Sequence, residues 1–383
     1  LDARVFHAEA LMDLQPWDYY DEKLAPKGNT AAVVSLLESV MKESPNHAGA
    51  LHLYVHAVEA SADPQRGVVA ADRLRTLIPG SGHLVHMPAH IYARVGRWHD
   101  AVVANQAAIA ADNDYLATCG PNAKGVYPLG YVPHNPHFLW FAASMEGASK
   151  VAQDAARTTA QRVNLPDLMR QPGFAGLQHY WMTPWFDNVR FGRWDEIRAV
   201  PNPAPDLPYV TAIWNYAQAM AAIRQGRMED ANTHYAALSK LAADPIMPTL
   251  MVWDRYPLAH AANIAERTVN AELALARGDQ VAAIAALTEA VTIEDRIPYD
   301  EPPGWHSPVR QSLGAALLVA GRAADAEKVY REELSRNPQN GWSLKGLALA
   351  LRQQQKTEAA VAVEKQLQDA WQHADVQLVA SRF

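Results

Sequence analysis

SPVRQSLGAALLVAGRAADAEKVYREELSRNPQN, residues 307 to 340, is followed directly by GWSLKGLALALRQQQKTEAAVAVEKQLQDAWQHA, residues 341 to 374. The two stretches align at a period of about 34 residues, the length of one helix-turn-helix repeat. Leu313-Gly314, Gly321, Ala326, Tyr330 and Pro338 mark the first, and Leu347, Ala348 and Ala360 hold equivalent slots in the second. Small residues at such places let two antiparallel helices touch, and a proline punctuates the exit because it cannot continue a helix.

Upstream the same punctuation recurs in weaker form as VGRWHDA (95–101), FGRWDEI (191–197), QGRMEDA (225–231) and RGDQVAA (277–283). Each predicts a turn between two helices. Between them lie apolar-periodic segments such as TAAVVSLLESVMKES (30–44) and HAGALHLYVHAVEAS (47–61), closed by Pro45 and Pro64. No segment alternates with period two over a useful length, so no sheet beyond trivial hairpins is expected.

The repeats resemble tetratricopeptide (TPR) repeats. The resemblance implies an all-α fold: an α-solenoid of six or seven TPR-like antiparallel helix pairs whose first helices line a concave groove. Residues 1–383 read as one such solenoid, with regular C-terminal repeats at 307–374 and a long inserted loop, NDYLATCGPNAKGVYPLGYVPHNPH, at 113–137. PNPAPDLPY (201–209) reads as a stiff link, and PYDEPPGWHSP (298–308) precedes the regular repeats.

Composition narrows the function classes. The hydrophobic share of 49% and the charged share of 20% suit packed helices and argue against disorder. A net charge of -7 without a basic run speaks against nucleic acid and against an anionic membrane surface. The longest apolar runs, such as LGAALLVAG (313–321), fall far short of the roughly 20 residues that span a bilayer, so a soluble protein is expected. A single cysteine, Cys119, excludes an internal disulfide framework and a thiolate-rich zinc site. It fits a reducing or an oxidising compartment; the cytoplasm is favoured over the periplasm. The chain begins LDARVF, without Met, and reads as a processed or truncated form of something longer.

Histidines carry the chemical signal. His52 and His56 stand four apart with Glu59 three further on, so a helix projects all three from one face. His83, His86 and His90, in SGHLVHMPAH, repeat the spacing, although Pro88 would loosen the stripe if a helix starts there. His134 and His137 follow in HNPH, just ahead of a helix expected over FLWFAASMEG (138–147). Imidazoles with a carboxylate and no nearby thiolate suit zinc, iron, nickel or copper, with copper(II) favoured by intrinsic affinity. A catalytic centre would use three ligands and keep one position open. The competing expectation for any one of these residues is a buried histidine hydrogen-bonded to a neighbour.

HLYVHAVEAS, RLRTLIPGSGHLVHMPAHIYARVGRW and PHNPHFLWFAASMEG, with RQSLGAALLVAGR and NPQNGWSLKGLALAL near the end, resemble a bacterial group of TPR-repeat proteins that share these histidine-bearing blocks. The resemblance implies no settled activity. It implies further repeats ahead of the present first residue.

Other candidates carry less. Glu9 and Asp13, with His7, read as polar positions of an amphipathic helix. Cys119 lacks a basic neighbour and is expected to be inert. His179, Tyr180, Trp181, Trp185, His260, Trp305 and His306 read as core. There is no phosphate-cradling glycine loop, no G-x-S-x-G and no HExxH; Leu53 stands where a zincin carries its glutamate.

The leading expectation is therefore a metal-binding protein and a metal-dependent enzyme, redox chemistry favoured over hydrolysis, with His52, His56, His83, His86 and His90 as metal ligands. Glu59 would act as ligand, supporting partner or general base, while His134 and His137 complete a catalytic site under the long loop. Copper or iron would serve redox chemistry on a small molecule or peptide, and zinc would serve hydrolysis. The alternative is a scaffold whose groove binds a peptide or protein partner without catalysis.

Overall fold

The computed structural model describes residues 1–119, 125, 127–171 and 173–383. They form two compact units, Leu1–Ala142 and Ala143–Phe383, each built from consecutive helix pairs of the α-solenoid type. The first unit contains α1 (Asp2–Asp13), α2 (Thr30–Glu43), α3 (Ala48–Glu59), α4 (Val68–Leu74), α5 (Gly82–His86), α6 (Pro88–Arg94) and α7 (Trp98–Cys119). Helix α8 (Val132–Glu146) runs across the division.

The second unit continues with α9 (Ser149–Arg162), α10 (Pro166–Met169), α11 (Gly176–Trp181), α12 (Thr183–Arg190), α13 (Trp194–Arg198), α14 (Pro208–Arg224) and α15 (Met228–Ala242). A two-residue hairpin, β1 (Met251–Val252) and β2 (Tyr256–Pro257), pairs antiparallel and is the only sheet among the described residues. Four regular pairs follow the same plan: α14 with α15, α16 (Ala259–Ala276) with α17 (Gln280–Glu294), α18 (Val309–Val319) with α19 (Ala323–Arg336), and α20 (Gly341–Gln353) with α21 (Thr357–Ala370).

The glycine turns explain the pairing. Gly96, Gly192, Gly226, Gly278 and Gly321 all have φ between 68° and 80°, the left-handed region that closes a helix at little steric cost. After each, the next N–H reaches back five residues: Arg97 to Tyr92, Arg193 to Asn188, Arg227 to Ala222, Asp279 to Ala274 and Arg322 to Leu317, at 2.8–2.9 Å. That bond satisfies an orphan carbonyl of the helix just ended and turns the chain back on itself.

Packing inside the regular repeats follows the small residues. A Cβ added to Gly314 or Gly346 would meet the fully buried Tyr330 ring at 2.3 or 2.2 Å, so the ring of α19 lies against glycines of α18 and α20. The segment 371–383 then ties distant pairs of this unit together. Asp375 accepts hydrogen bonds from the N–H groups of Ser149 (2.7 Å) and Lys150 (3.1 Å) at the start of α9. Ser381 bonds Tyr330 and the Gln311 carbonyl, Arg382 pairs with Glu272, and the Phe383 ring lies 5.5 Å from that of Trp342.

One expectation on chain path is corrected. The inserted loop expected over 113–137 is largely helical: α7 continues through NDYLATC to Cys119, and a π turn at Tyr127–Tyr131 leads straight into α8. Nothing before Gly120 breaks a helix, which is why α7 persists. Pro136 lies only about one turn inside α8 and deletes a single ladder bond there. Residues 120–124 and 126 of that stretch lie outside the described residues.

Candidate metal centre

All the histidines singled out from sequence between 52 and 137 lie in the first unit. Helix α3 is buried on almost every side, and His52 and His56 sit one turn apart on it. Its last carbonyl, that of Glu59, accepts from Arg94 Nε of α6 at 2.9 Å, which fixes the two helices together. Gly82 lets α5 approach α7 closely, because a Cβ there would meet Asp112 Oδ1 at 2.0 Å. Met87 then separates α5 from α6, since Pro88 has no N–H to continue the ladder.

The second histidine stripe divides before this break, between His83 and His86 of α5. His83 turns toward α3, its Nε2 lying 3.0 Å from His52 Nε2. His86 and His90 turn toward α8: His86 Nε2 lies 2.8 Å from His90 Nε2 and 3.0 Å from His134 Nε2. Two groups of three result, His52–His56–His83 and His86–His90–His134, each with its ligand atoms within 4.8 Å of one another. The groups are neighbours, with the ring centroids of His56 and His90 5.6 Å apart and those of His83 and His86 6.4 Å apart.

The other ring nitrogens decide which atoms can coordinate. Glu59 places Oε1 3.1 Å from His56 Nδ1 and Oε2 2.6 Å from His90 Nδ1. Its carboxylate thus holds one histidine of each group by the side away from the cluster. His86 Nδ1 faces Asn105 Oδ1 at 2.7 Å, while Asn105 Nδ2 donates to the Ala101 carbonyl, so His86 Nδ1 is the donor. His86 Nε2 is then a bare lone pair facing two other Nε2 atoms. A lone pair accepts one proton donor well, so the three imidazoles cannot all be satisfied by one another. A cation among them would accept all three.

Electrostatics point the same way. Burial, reinforced by the neighbouring imidazoles, pushes His83, His86 and His134 far below the usual histidine range and His52 down to about 3. These four rings are neutral at neutral pH and present lone pairs, the form in which histidine binds metal. Burial alone would raise the Glu59 carboxyl, but His90 and His56 hold it below the ordinary range as an anion. Ideal coordination at metal–nitrogen distances near 2.05 Å puts ligand nitrogens about 2.9 Å apart at right angles and about 3.3 Å apart in a tetrahedron. The His52–His83, His86–His90 and His86–His134 separations of 2.8–3.0 Å lie within a few tenths of an ångström of those values, and the remaining ligand atoms of each group lie within 4.8 Å.

Two aromatic rings flank the outer group. Trp17, about half exposed at 48% and with φ of 62°, stands edge-on 4.9 Å from His56, and Tyr131 stands 4.6 Å from His83. Asp112 anchors the segment bearing Tyr131 and His134 by accepting from Tyr127 Oη and Asn135 Nδ2, both at 2.7 Å. None of Trp17, Asn105 or Asp112 is apparent from spacing in the sequence; their placement depends on the helix packing.

The remaining candidates fall elsewhere. His137 belongs to neither group; its ring stacks on Trp140 at 5.4 Å. Glu9, Asp13 and His7 are exposed on α1, and Cys119 is exposed at the end of α7. In the second unit, His179 bonds Tyr209 (2.7 Å), His306 bonds Tyr216 (3.0 Å), and Phe186 stacks on His306, so this aromatic set packs as core; His260 is only partly buried. No described helix is long and apolar enough to cross a membrane.

No protein-family model and no curated protein matches the chain. Among solved structures it is similar to "Crystal Structure of P58(IPK) TPR Domain at 2.5 A", at 12% identity over 93% of this chain and 99% of that one, with a TM-score of 0.26. At that score the helix pairs and their glycine turns, and not the likeness, carry the assignment of this chain to the TPR-like all-α fold.

Proposed function

We propose that the first unit is a histidine-ligated transition-metal centre and that the protein is a metal-dependent oxidoreductase acting on a small molecule or peptide. His52, His56 and His83 hold an outer ion, and His86, His90 and His134 hold an inner one. His134 thus joins the ligands, Glu59 orients His56 and His90, and His137 stacks on Trp140 of the same helix. Three ligands per ion leave a position open for a reactant. A shell of imidazoles without thiolate or carboxylate suits copper ahead of zinc or iron.

The observation that carries this reading is the His86 Nε2 lone pair facing His90 Nε2 and His134 Nε2 while both His86 Nδ1 and His90 Nδ1 are committed elsewhere. Elemental analysis of the protein after copper loading and desalting tests it. About two ions per chain are expected, about one in His52→Ala and in His86→Ala. Binding no stronger than to a double variant lacking both residues overturns it.

A scaffold that binds a protein or peptide is the second reading, and the regular helix pairs of the second unit favour it. It predicts stoichiometric peptide binding that is indifferent to both histidine substitutions.

A further inference from the structure

We infer that the two histidine groups hold a coupled pair of copper ions that takes up one molecule of dioxygen between them. The inference rests on the metal reading above and adds the coupling and the reactant. The geometry behind it is the adjacency of the groups: the His56 and His90 rings are 5.6 Å apart, the His83 and His86 rings 6.4 Å, and one carboxylate, Glu59, grips a ring from each. Ions held by rings this close are separated by a few ångströms, a span that a diatomic molecule bridges.

Charge selects the ion and the reactant. His86 is fully buried and Glu59 is 2% exposed, so net charge at the centre is costly. The six ligands are imidazoles, and the Glu59 carboxylate touches one of each group. Two divalent ions would bring four positive charges into this buried centre, whereas two copper(I) ions bring two. Dioxygen, itself uncharged and small, then takes two electrons, one from each copper(I), to the peroxide level. One O–O bond remains, each ion becomes copper(II), and no proton is needed. Four positive charges now face the dianion of reduced oxygen, so the net charge of the centre is the same before and after. Substrates that arrive already charged would not preserve this balance.

The groups are not equivalent. His86 and His90 are buried and His134 partly so, whereas in the outer group only His56 is buried, with Trp17 beside it and Tyr131 beside His83.

The test is quantitative electron paramagnetic resonance on protein loaded with copper(I) under argon and then exposed to air. The expected result is about two coppers per chain with a cupric signal accounting for less than about a tenth of them, because paired spins cancel across a bridge. In His134→Ala and in His52→Ala the remaining copper should become fully visible after oxidation. Two coppers per chain with a full cupric signal in the unsubstituted protein overturns the coupling while leaving the metal centre intact. Failure to bind copper at all overturns both.

Discussion

Replacing Glu59 by glutamine keeps the size of the side chain and removes one of its two acceptors. Both are in use: Oε1 faces His56 Nδ1 at 3.1 Å and Oε2 faces His90 Nδ1 at 2.6 Å. Glutamine has one carbonyl oxygen, and its amide NH2 would confront an N–H. One of the two histidines then loses its acceptor and relieves the conflict by moving its proton to Nε2, the atom that should bind metal. Loss of such a supporting partner costs about 10- to 100-fold in metal affinity, or about 1.4–2.7 kcal/mol. Competition of copper-loaded protein against a chelator of known affinity measures this, with circular dichroism as a control for folding. The shorter His90 contact should win the glutamine oxygen, so the outer ion is expected to weaken more than the inner one. A folded Glu59→Gln protein that holds both ions within about twofold of the original would refute the reasoning.

Four further outcomes are expected. Asp112→Ala removes the acceptor shared by Tyr127 and Asn135 and should loosen the inner ion selectively, read as a lower copper stoichiometry with the outer ion retained. Gly346→Ala drives a methyl into the Tyr330 ring and should cost about 1–3 kcal/mol in urea unfolding. His179 is held neutral by burial, at about 4 instead of the ordinary 6.5. Its contribution is therefore complete above pH 6.5 and is lost as pH falls from 6.5 toward 4, up to about 3 kcal/mol, and His179→Phe should flatten that limb of the stability profile. Asp375→Ala removes the acceptor for two N–H groups at the start of α9 and should lower stability by about 1 kcal/mol, checked by thermal melting.

The fold was legible wherever it is set locally. The glycines at 96, 192, 226, 278 and 321 announce their turns because only a left-handed conformation closes these helices there, and Tyr330 announces its partners because glycine leaves room for it. The HxxxH of α3 was legible for the same reason: spacing along one helix is a local property. The division of His83 from His86 and His90 was not, since three- and four-residue spacings read as one stripe, and only the packing against α3 and α8 shows that His83 meets His52 while His86 meets His134. His134 was expected at the site, but its contact with His86, 48 residues away, is set only by the packing of α8. Asn105, which selects the His86 nitrogen that faces the cluster, belongs to no recognisable motif at all.

The strap formed by residues 371–383 bears on how the second unit comes apart. In a plain stack each repeat touches only its neighbours, and ends fray before the middle. Here Asp375 reaches residues more than 220 positions earlier, and Ser381 and Arg382 reach α18 and α16. Such a closure couples early and late helices into one cooperative transition and makes folding wait for a slow, long-range encounter. Clipping the strap should let the terminal pairs exchange their amide hydrogens ahead of the rest.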